Sequence, residues 1–256
     1  IPDSVVNIGD YAFGACDYLK KITIPSGVKK IENGVFAGCK SLRNIVIPDG
    51  ITSICEYALH ECRSLGEIRI PNSVVSIGKS AFDGCSGITE INISAGVTNI
   101  GEGAFSNCTK MKSAILSGNV TEIGYGIFGG CRELISVEIP FGMEKVGRGM
   151  FSYCNKLKNV SMPDSITTIG AFAFAKSGIE NIIIPQNVEV IEAGAFEGCD
   201  ELSEIEINKK VTTIGHGAFK DCENLKTVVF CGTKARWNEI LIVDANEKLL
   251  SATIHC

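Results

Sequence analysis

Apolar residues recur along the chain in one pattern, Leu-x-x-Ile-x-Ile-Pro-x-x-Val-x-x-Ile-Gly-x-x-Ala-Phe-x-x-Cys-x-x, repeated every 23 residues. The second unit reads Leu19, Ile22, Ile24, Pro25, Val28, Ile31, Val35, Phe36 and Cys39. Ile22-Thr23-Ile24 alternates apolar and polar, which predicts a strand with the two Ile inward and Thr outward. Pro25 ends that strand, because it has no N–H for a ladder and its fixed φ suits a bend. Val28 and Ile31 turn inward on the next side, as a second short strand or an irregular arc. Gly then permits a turn, and Ala-Phe-x-x-Cys fits one helical turn with Phe and Cys on the same face.

The stride is strict. Cys16, Cys39, Cys62, Cys85, Cys108, Cys131 and Cys154 follow Phe13, Phe36, Leu59, Phe82, Phe105, Phe128 and Phe151 by three residues, and Phe174/Ser177, Phe196/Cys199 and Phe219/Cys222 continue the series. A period of 20–29 residues marks a solenoid of the leucine-rich-repeat kind. The predicted fold is an α/β-type or mainly β repeat solenoid, a right-handed superhelix with a parallel sheet. Residues 1–230 form about ten coils, the first incomplete, and residues 231–256 form a C-terminal cap. In that cap Trp237, with Ile240, Leu241, Ile242, Leu249, Leu250 and Ile254, is expected to cover the apolar end of the last coil. Ser94, Ser117, Asn208 and Cys231 replace Pro, Cys55 replaces Gly, and Ala114 replaces a strand Ile. One residue is missing after Ser177, which predicts a local kink or a tighter turn.

Charge narrows the partners. The chain has 256 residues, with 24 Lys and Arg against 29 Asp and Glu, for a net charge of -5. No Lys/Arg cluster stands out from the repeat, so nucleic acid is not an expected partner. No run of eighteen apolar residues exists, so no membrane insertion is expected in this segment. Ile1-Pro2-Asp3 aligns with Ile24-Pro25-Ser26, so the chain opens midway through a coil and reads as a segment of a longer protein, without a signal peptide of its own.

The cysteines and histidines invite chemistry that their spacing does not favour. Stacked coils lie about 4.8 Å apart with parallel side-chain vectors, beyond the roughly 3.5–4.5 Å between Cβ atoms that a disulfide prefers. The ladder cysteines are therefore expected to be buried thiols. Cys231 and Cys256 stand outside the ladder, and a cap disulfide between them stays open. No Cys-x-x-Cys pair occurs, so neither a metal site nor a cofactor is expected. His60, His216 and His255 fall in different coils or the tail, read as solvated, and suggest no catalytic base.

Repeated positions are explained by packing, so functional residues are sought where coils differ. The outward strand positions form two columns on the sheet face, one from Lys21 to Thr227 and the other from Thr23 to Val229. Glu67, Glu90 and Glu138, then Glu204 and Glu206, make two acidic patches along them. Ile115 and Ile183 are apolar where solvent is expected. With Arg69 and Asn92, these residues form the predicted binding surface, on a face that is normally concave in such solenoids.

With the unit laid out, the chain resembles the BspA-like (Treponema-type) leucine-rich-repeat family. The resemblance covers nearly all of residues 1–230 and rests on the Leu-x-x-Ile-x-Ile-Pro, Ile-Gly-x-x-Ala-Phe and Cys elements. The stretch from Cys231 to Ile240 and the closing Ala252-Thr253-Ile254-His255-Cys256 are similar to the C-terminal cap of that family. The resemblance implies a secreted or surface-attached, non-catalytic module. It implies adhesion through a protein ligand, of host or matrix origin, with a structural spacer as the alternative role. A monomer is expected.

Overall fold

The computed structural model describes residues 1–116 and 119–256, so the replacement of Pro by Ser117 lies outside the described residues. The chain forms two compact units, Ile1–Pro140 and Phe141–Cys256. Each is a stack of coils with three sides: a ribbon of parallel strands at the Ile-x-Ile positions, a second ribbon of two-residue strands, and an arc that carries the Phe and Cys columns.

In the first unit the long ribbon contains Lys21–Thr23 paired with Asn44–Val46, and Glu90–Ile93, Ser113–Leu116 and Ser136–Glu138 paired in that order. The short ribbon runs Lys30–Ile31, Ser53–Ile54, Ser76–Ile77, Asn99–Ile100 and Glu122–Ile123. In the second unit the long ribbon is Asn181–Ile183, Glu204–Asn208, Thr227–Cys231 and Thr253–His255. Its short ribbon starts at Lys145–Val146 and ends at Leu241–Ile242. Partners such as Ile22 and Ile45, or Ile54 and Ile77, are one stride apart. Parallel pairing of successive coils requires the right-handed crossover found in this fold.

Proline sets strand length. Where Asn208 and Cys231 replace it, an N–H is restored and the ladder runs on, pairing Asn208 with Cys231. Asn208 is buried, and its side chain donates to the carbonyls of Pro185 (2.6 Å) and Val188 (3.1 Å). Ser94 likewise donates to the Pro71 carbonyl at 3.0 Å.

The arc is not the helical turn that Phe-x-x-Cys spacing suggests. Alternate N–H groups go to different partners: Phe36 donates across to Ala58 of the next coil (2.9 Å), whereas Cys39 donates back to Phe36 (3.1 Å). Gly34 and Gly38 both have positive φ, and so do their counterparts in other coils, including Tyr57, Glu61, Tyr153 and Lys176. Two left-handed residues per arc break any helix and aim every second N–H at the neighbouring coil. Phe and Cys still share the inner face. Phe82 and Phe105 stack at 5.1 Å between centroids and 4°, Phe174 and Phe196 at 5.3 Å and 5°, and Phe196 and Phe219 at 5.2 Å and 12°. Such offset pairs add about 0.5–1.5 kcal/mol each beyond the area they bury.

The ladder thiols make a specific bond. Cys62 donates to the Phe36 carbonyl at 3.2 Å, and Cys85, Cys131 and Cys222 repeat it to Leu59, Phe105 and Phe196. Burial pushes the Cys62 thiol up to about 12 and Cys199 up to about 11.

The missing residue is absorbed where the arc meets the strand. Gly178 donates to the Cys154 carbonyl at 3.1 Å, and Ser177 reaches the Cys199 sulfur at 3.5 Å. The turn is tight: a Cβ on Gly178 would sit 2.1 Å from the Asn155 carbonyl oxygen.

In the tail a helical turn, Lys234–Trp237, joins the last long strand to the short strand Leu241–Ile242, and a second, Glu247–Ser251, stands in place of the arc. The Thr233 hydroxyl caps the first by accepting from the Arg236 N–H at 3.2 Å. Trp237 is 4% exposed and meets Phe230 edge-on at 5.3 Å. Ile240 and Leu249 are buried as expected, but Leu241 and Leu250 face outward. The buried Asn246 does what apolar pattern cannot reveal. Its Oδ1 accepts from the Phe219 N–H at 3.0 Å, where the next coil would have offered a carbonyl, and its Nδ2 donates to Gly215 and Val243.

Two outcomes follow from these bonds. Asn246→Ala strands the Phe219 N–H in the core and should cost about 1–3 kcal/mol by denaturant titration, whereas Asn224→Ala, in an exposed side chain, should cost less than half of that. An unfolded thiol ionises near pH 8.5, while the thiols of Cys62, Cys85, Cys199 and Cys222, raised by burial, stay protonated when folded, so raising the pH above about 8.5 favours unfolding by about 1.4 kcal/mol per such thiol per pH unit. Thermal melts under reducing conditions should therefore show a steep loss of stability from about pH 8.5 upward.

Candidate binding face

Both long ribbons carry their outward columns on one face, and in each unit that face contains a groove. In the first unit a groove of about 570 Å³ is lined by Asn44, Val46, Glu67, Ile68, Arg69, Glu90, Asn92, Ser113 and Ile115 above the inward Ile45, Ile47 and Ile91. It brings together five of the residues expected from sequence: Glu67, Arg69, Glu90, Asn92 and Ile115. Ile115 is 38% exposed and Val46 45%, at opposite ends of one outward column with Arg69 and Asn92 between them. The guanidinium of Arg69 lies 4.0 Å from Asp49, both highly exposed, a pairing worth little in water.

The groove coincides with a break in the ladder. Among the described residues, the main-chain N–H and C=O groups of residues 66–70 form no hydrogen bond, although Asn44–Val46 and Glu90–Ile93 are strands on either side. The short ribbon does not share the break, since Ser53–Ile54 and Ser76–Ile77 pair normally. The arcs also stay joined there, with Leu59 donating to Ala81 at 2.8 Å. The coils are thus held on two sides and unpaired on the third.

The second unit has a counterpart. Among the described residues, the main-chain groups of 159–162 also form no hydrogen bond, and a second groove is lined by Asn159, Ser161, Asp164, Asn181, Ile183, Gln186, Glu206, Asn208 and Cys231. Ile183, 67% exposed, lies in this groove. Of the expected residues it gathers Ile183 and Glu206. Glu138 and Glu204 face outward on their strands but line neither groove. The Cys231 thiol donates to the Glu206 carboxylate at 3.2 Å, and Cys231 and Cys256 are both free. Their places explain this: the ladder sets Val229 opposite His255, so Cys256 follows on the face of the inward Phe230 while Cys231 points outward.

Asn44, Asn159 and Asn181 belong to the same outward column as the expected acids, so the column carried their signal without ranking them. Asp164 and Gln186, joined at 2.6 Å, lie in turns beyond the strands and enter only because the fold brings adjacent turns together.

The histidines do not build a catalytic site. His216 is exposed and pairs with Asp244 at 2.6 Å. His60 departs from the solvated reading: its Nδ1 is buried, 3.5 Å from Asp83 and without a hydrogen bond. Among the described residues no group of three or more His, Cys, Asp or Glu is placed to hold a metal ion. Among the described residues no helix is long and apolar enough to cross a membrane.

Parallel ladders one stride apart, a phenylalanine stack and a variable outward face define a leucine-rich-repeat scaffold, a type typical of non-catalytic proteins. The chain belongs to the family described as BspA type leucine rich repeat region (6 copies), which matches residues 6–135 and 121–241. Among solved structures it is similar to a leucine-rich repeat protein from Bacteroides ovatus, 33% identical with a TM-score of 0.81 over 98% of this chain and 66% of that one. It is also similar to a leucine rich cell surface protein from Faecalibacterium prausnitzii, 27% identical with a TM-score of 0.50 over 90% of this chain and 64% of that one. A leucine rich repeat protein from T. pallidum is 35% identical, with a TM-score of 0.55 over 58% of this chain and 69% of that one. The chain therefore spans just under two thirds of the length of the first two. Among curated proteins none matches it.

Unpaired amides exchange with solvent far faster than ladder amides. In hydrogen–deuterium exchange, residues 66–70 should exchange at least about a hundredfold faster than Glu90–Ile93 and Ser113–Leu116.

Proposed function

We propose that this chain is a non-catalytic adhesion module of an extracellular or cell-surface protein, and that it takes a protein ligand on its sheet face. The observation that carries this reading is the groove around Ile115. Exposed apolar Val46 and Ile115 combined with Glu67, Arg69, Glu90 and Asn92 in one groove give the mixture of apolar anchors and polar groups found at protein–protein contacts. A location outside the cell is supported by the similarity to the cell surface protein of Faecalibacterium prausnitzii.

Binding to immobilised collagen, laminin and fibronectin, measured by surface plasmon resonance, tests the reading. Ile115→Asp and the double reversal Glu67→Lys/Glu90→Lys should each weaken whichever interaction is found by about 30-fold, the effect of losing a 2 kcal/mol hot spot. Circular dichroism should stay unchanged, because all three side chains point outward. Undiminished binding by both variants, with binding instead following the number of coils present, would show the chain to be a spacer.

A further inference from the structure

Sequence spacing gives no hint of a basic site, yet the fold of the first unit assembles one. A groove at the edge where arcs pass into strands is lined by Thr89, Thr109, Lys110, Lys112, Arg132 and Glu133. Lys112 is joined to Thr89 of the preceding coil by a main-chain bond of 2.7 Å, and Arg132 stands one stride beyond Thr109. Three cations thus come from only two coils, separated by 20–22 residues in sequence, which is why no basic run announces them.

What distinguishes this groove is that three cations line it together. Within the first unit some cations at this edge are neutralised, Lys40 by Asp17 at 3.4 Å and Arg63 by Glu61 at 2.5 Å, whereas Lys20 and Arg43 enter no ion pair among the described residues. Among the described residues Lys110, Lys112 and Arg132 enter no ion pair, although the chain as a whole carries a net charge of -5. Glu133, the one carboxylate on the lining, is engaged in an interaction of its own. Mutual repulsion among uncompensated cations disfavours the bare groove, and an anion placed there removes it.

We propose that this groove binds the sulfate esters of an acidic polysaccharide. A sulfate ester keeps its charge throughout the physiological pH range and presents three terminal oxygens. The Arg132 fork, two ammonium groups and the hydroxyls of Thr89 and Thr109 supply donors in kind. A polymer is favoured over a free ion because the Lys112 column, uncharged at Thr89 and Gly66, carries cations again from the third coil back. Lys20 and Arg43 occupy the same position in earlier coils, linked by a main-chain bond of 2.9 Å. Arg43 stands three strides from Lys112, about 14 Å at 4.8 Å per coil. Nucleic acid fits less well, since no aromatic ring lines the groove to stack a base. The site shares no side chain with the groove around Ile115, so it does not rest on that reading.

The test is binding of the whole chain to immobilised dextran sulfate, with neutral dextran and a single-stranded DNA oligonucleotide as comparison surfaces. Lys110→Gln/Lys112→Gln/Arg132→Gln should weaken binding to dextran sulfate at least about tenfold, and raising salt from 50 to 200 mM should weaken the wild-type interaction similarly. Lys209→Gln/Lys210→Gln, which removes two cations from the other unit, should change affinity less than twofold. Ile115→Asp should leave it intact. Equal binding by the triple variant and the wild type would overturn the proposal, as would an equal loss in the Lys209/Lys210 variant. DNA binding as tight as that of dextran sulfate would replace it with a general polyanion site.

Discussion

The hydrogen bond from each arc to the next is the constraint on which the rest of the molecule depends. Phe36 to Ala58, Phe82 to Ala104 and Phe196 to Ala218 are the same bond at successive places. It exists because two residues per arc adopt positive φ, turning every second N–H out of the coil and into its neighbour. Backbone spacing then fixes side-chain spacing: the rings of Phe82 and Phe105 are held at 5.1 Å, and Cys62, Cys108 and Cys222 each reach the carbonyl of the phenylalanine in the preceding coil. A coil of 23 residues has too little apolar surface to offset the entropy of ordering its own backbone, so this cross-coil bonding is a condition of folding.

The stacked architecture was legible because packing repeats and function does not. Ile22, Val28, Ile31, Phe36 and Cys39 declared their inward faces by recurring, and Pro25 declared the end of its strand. The arc was misread for a physical reason. Phe-x-x-Cys places two side chains on one face of a helical turn, but a pair of tandem turns does the same. Only the φ values separate them, and the residues there include Tyr57 and Lys176 as well as glycine. Asn246 was invisible because it acts once, at the end of the stack, where no periodicity can point to it.

Sites were legible in part. The outward columns located Glu67, Arg69, Glu90, Asn92 and Ile115 correctly as one neighbourhood. They could not disclose that the ladder opens beneath them, since Leu65, Ile68, Ile70 and Pro71 match the repeat and read as an ordinary coil. Nor could they separate Glu138 and Glu204, which share the columns but line neither groove. The basic edge was missed altogether because its members are distant in sequence and meet only through the stride.

The short coil ending at Ser177 and Gly178 carries a further implication. A full residue is lost there, yet the rings of Phe174 and Phe196 remain stacked and the strands at Asn181 and Glu204 pair in register. Only the corner between arc and strand changed. Evolution therefore has a place at which to lengthen or shorten a turn while leaving the core untouched, and both the basic edge and the start of every outward column adjoin that same corner. Diversification of what the protein recognises can proceed there without renegotiating how it folds.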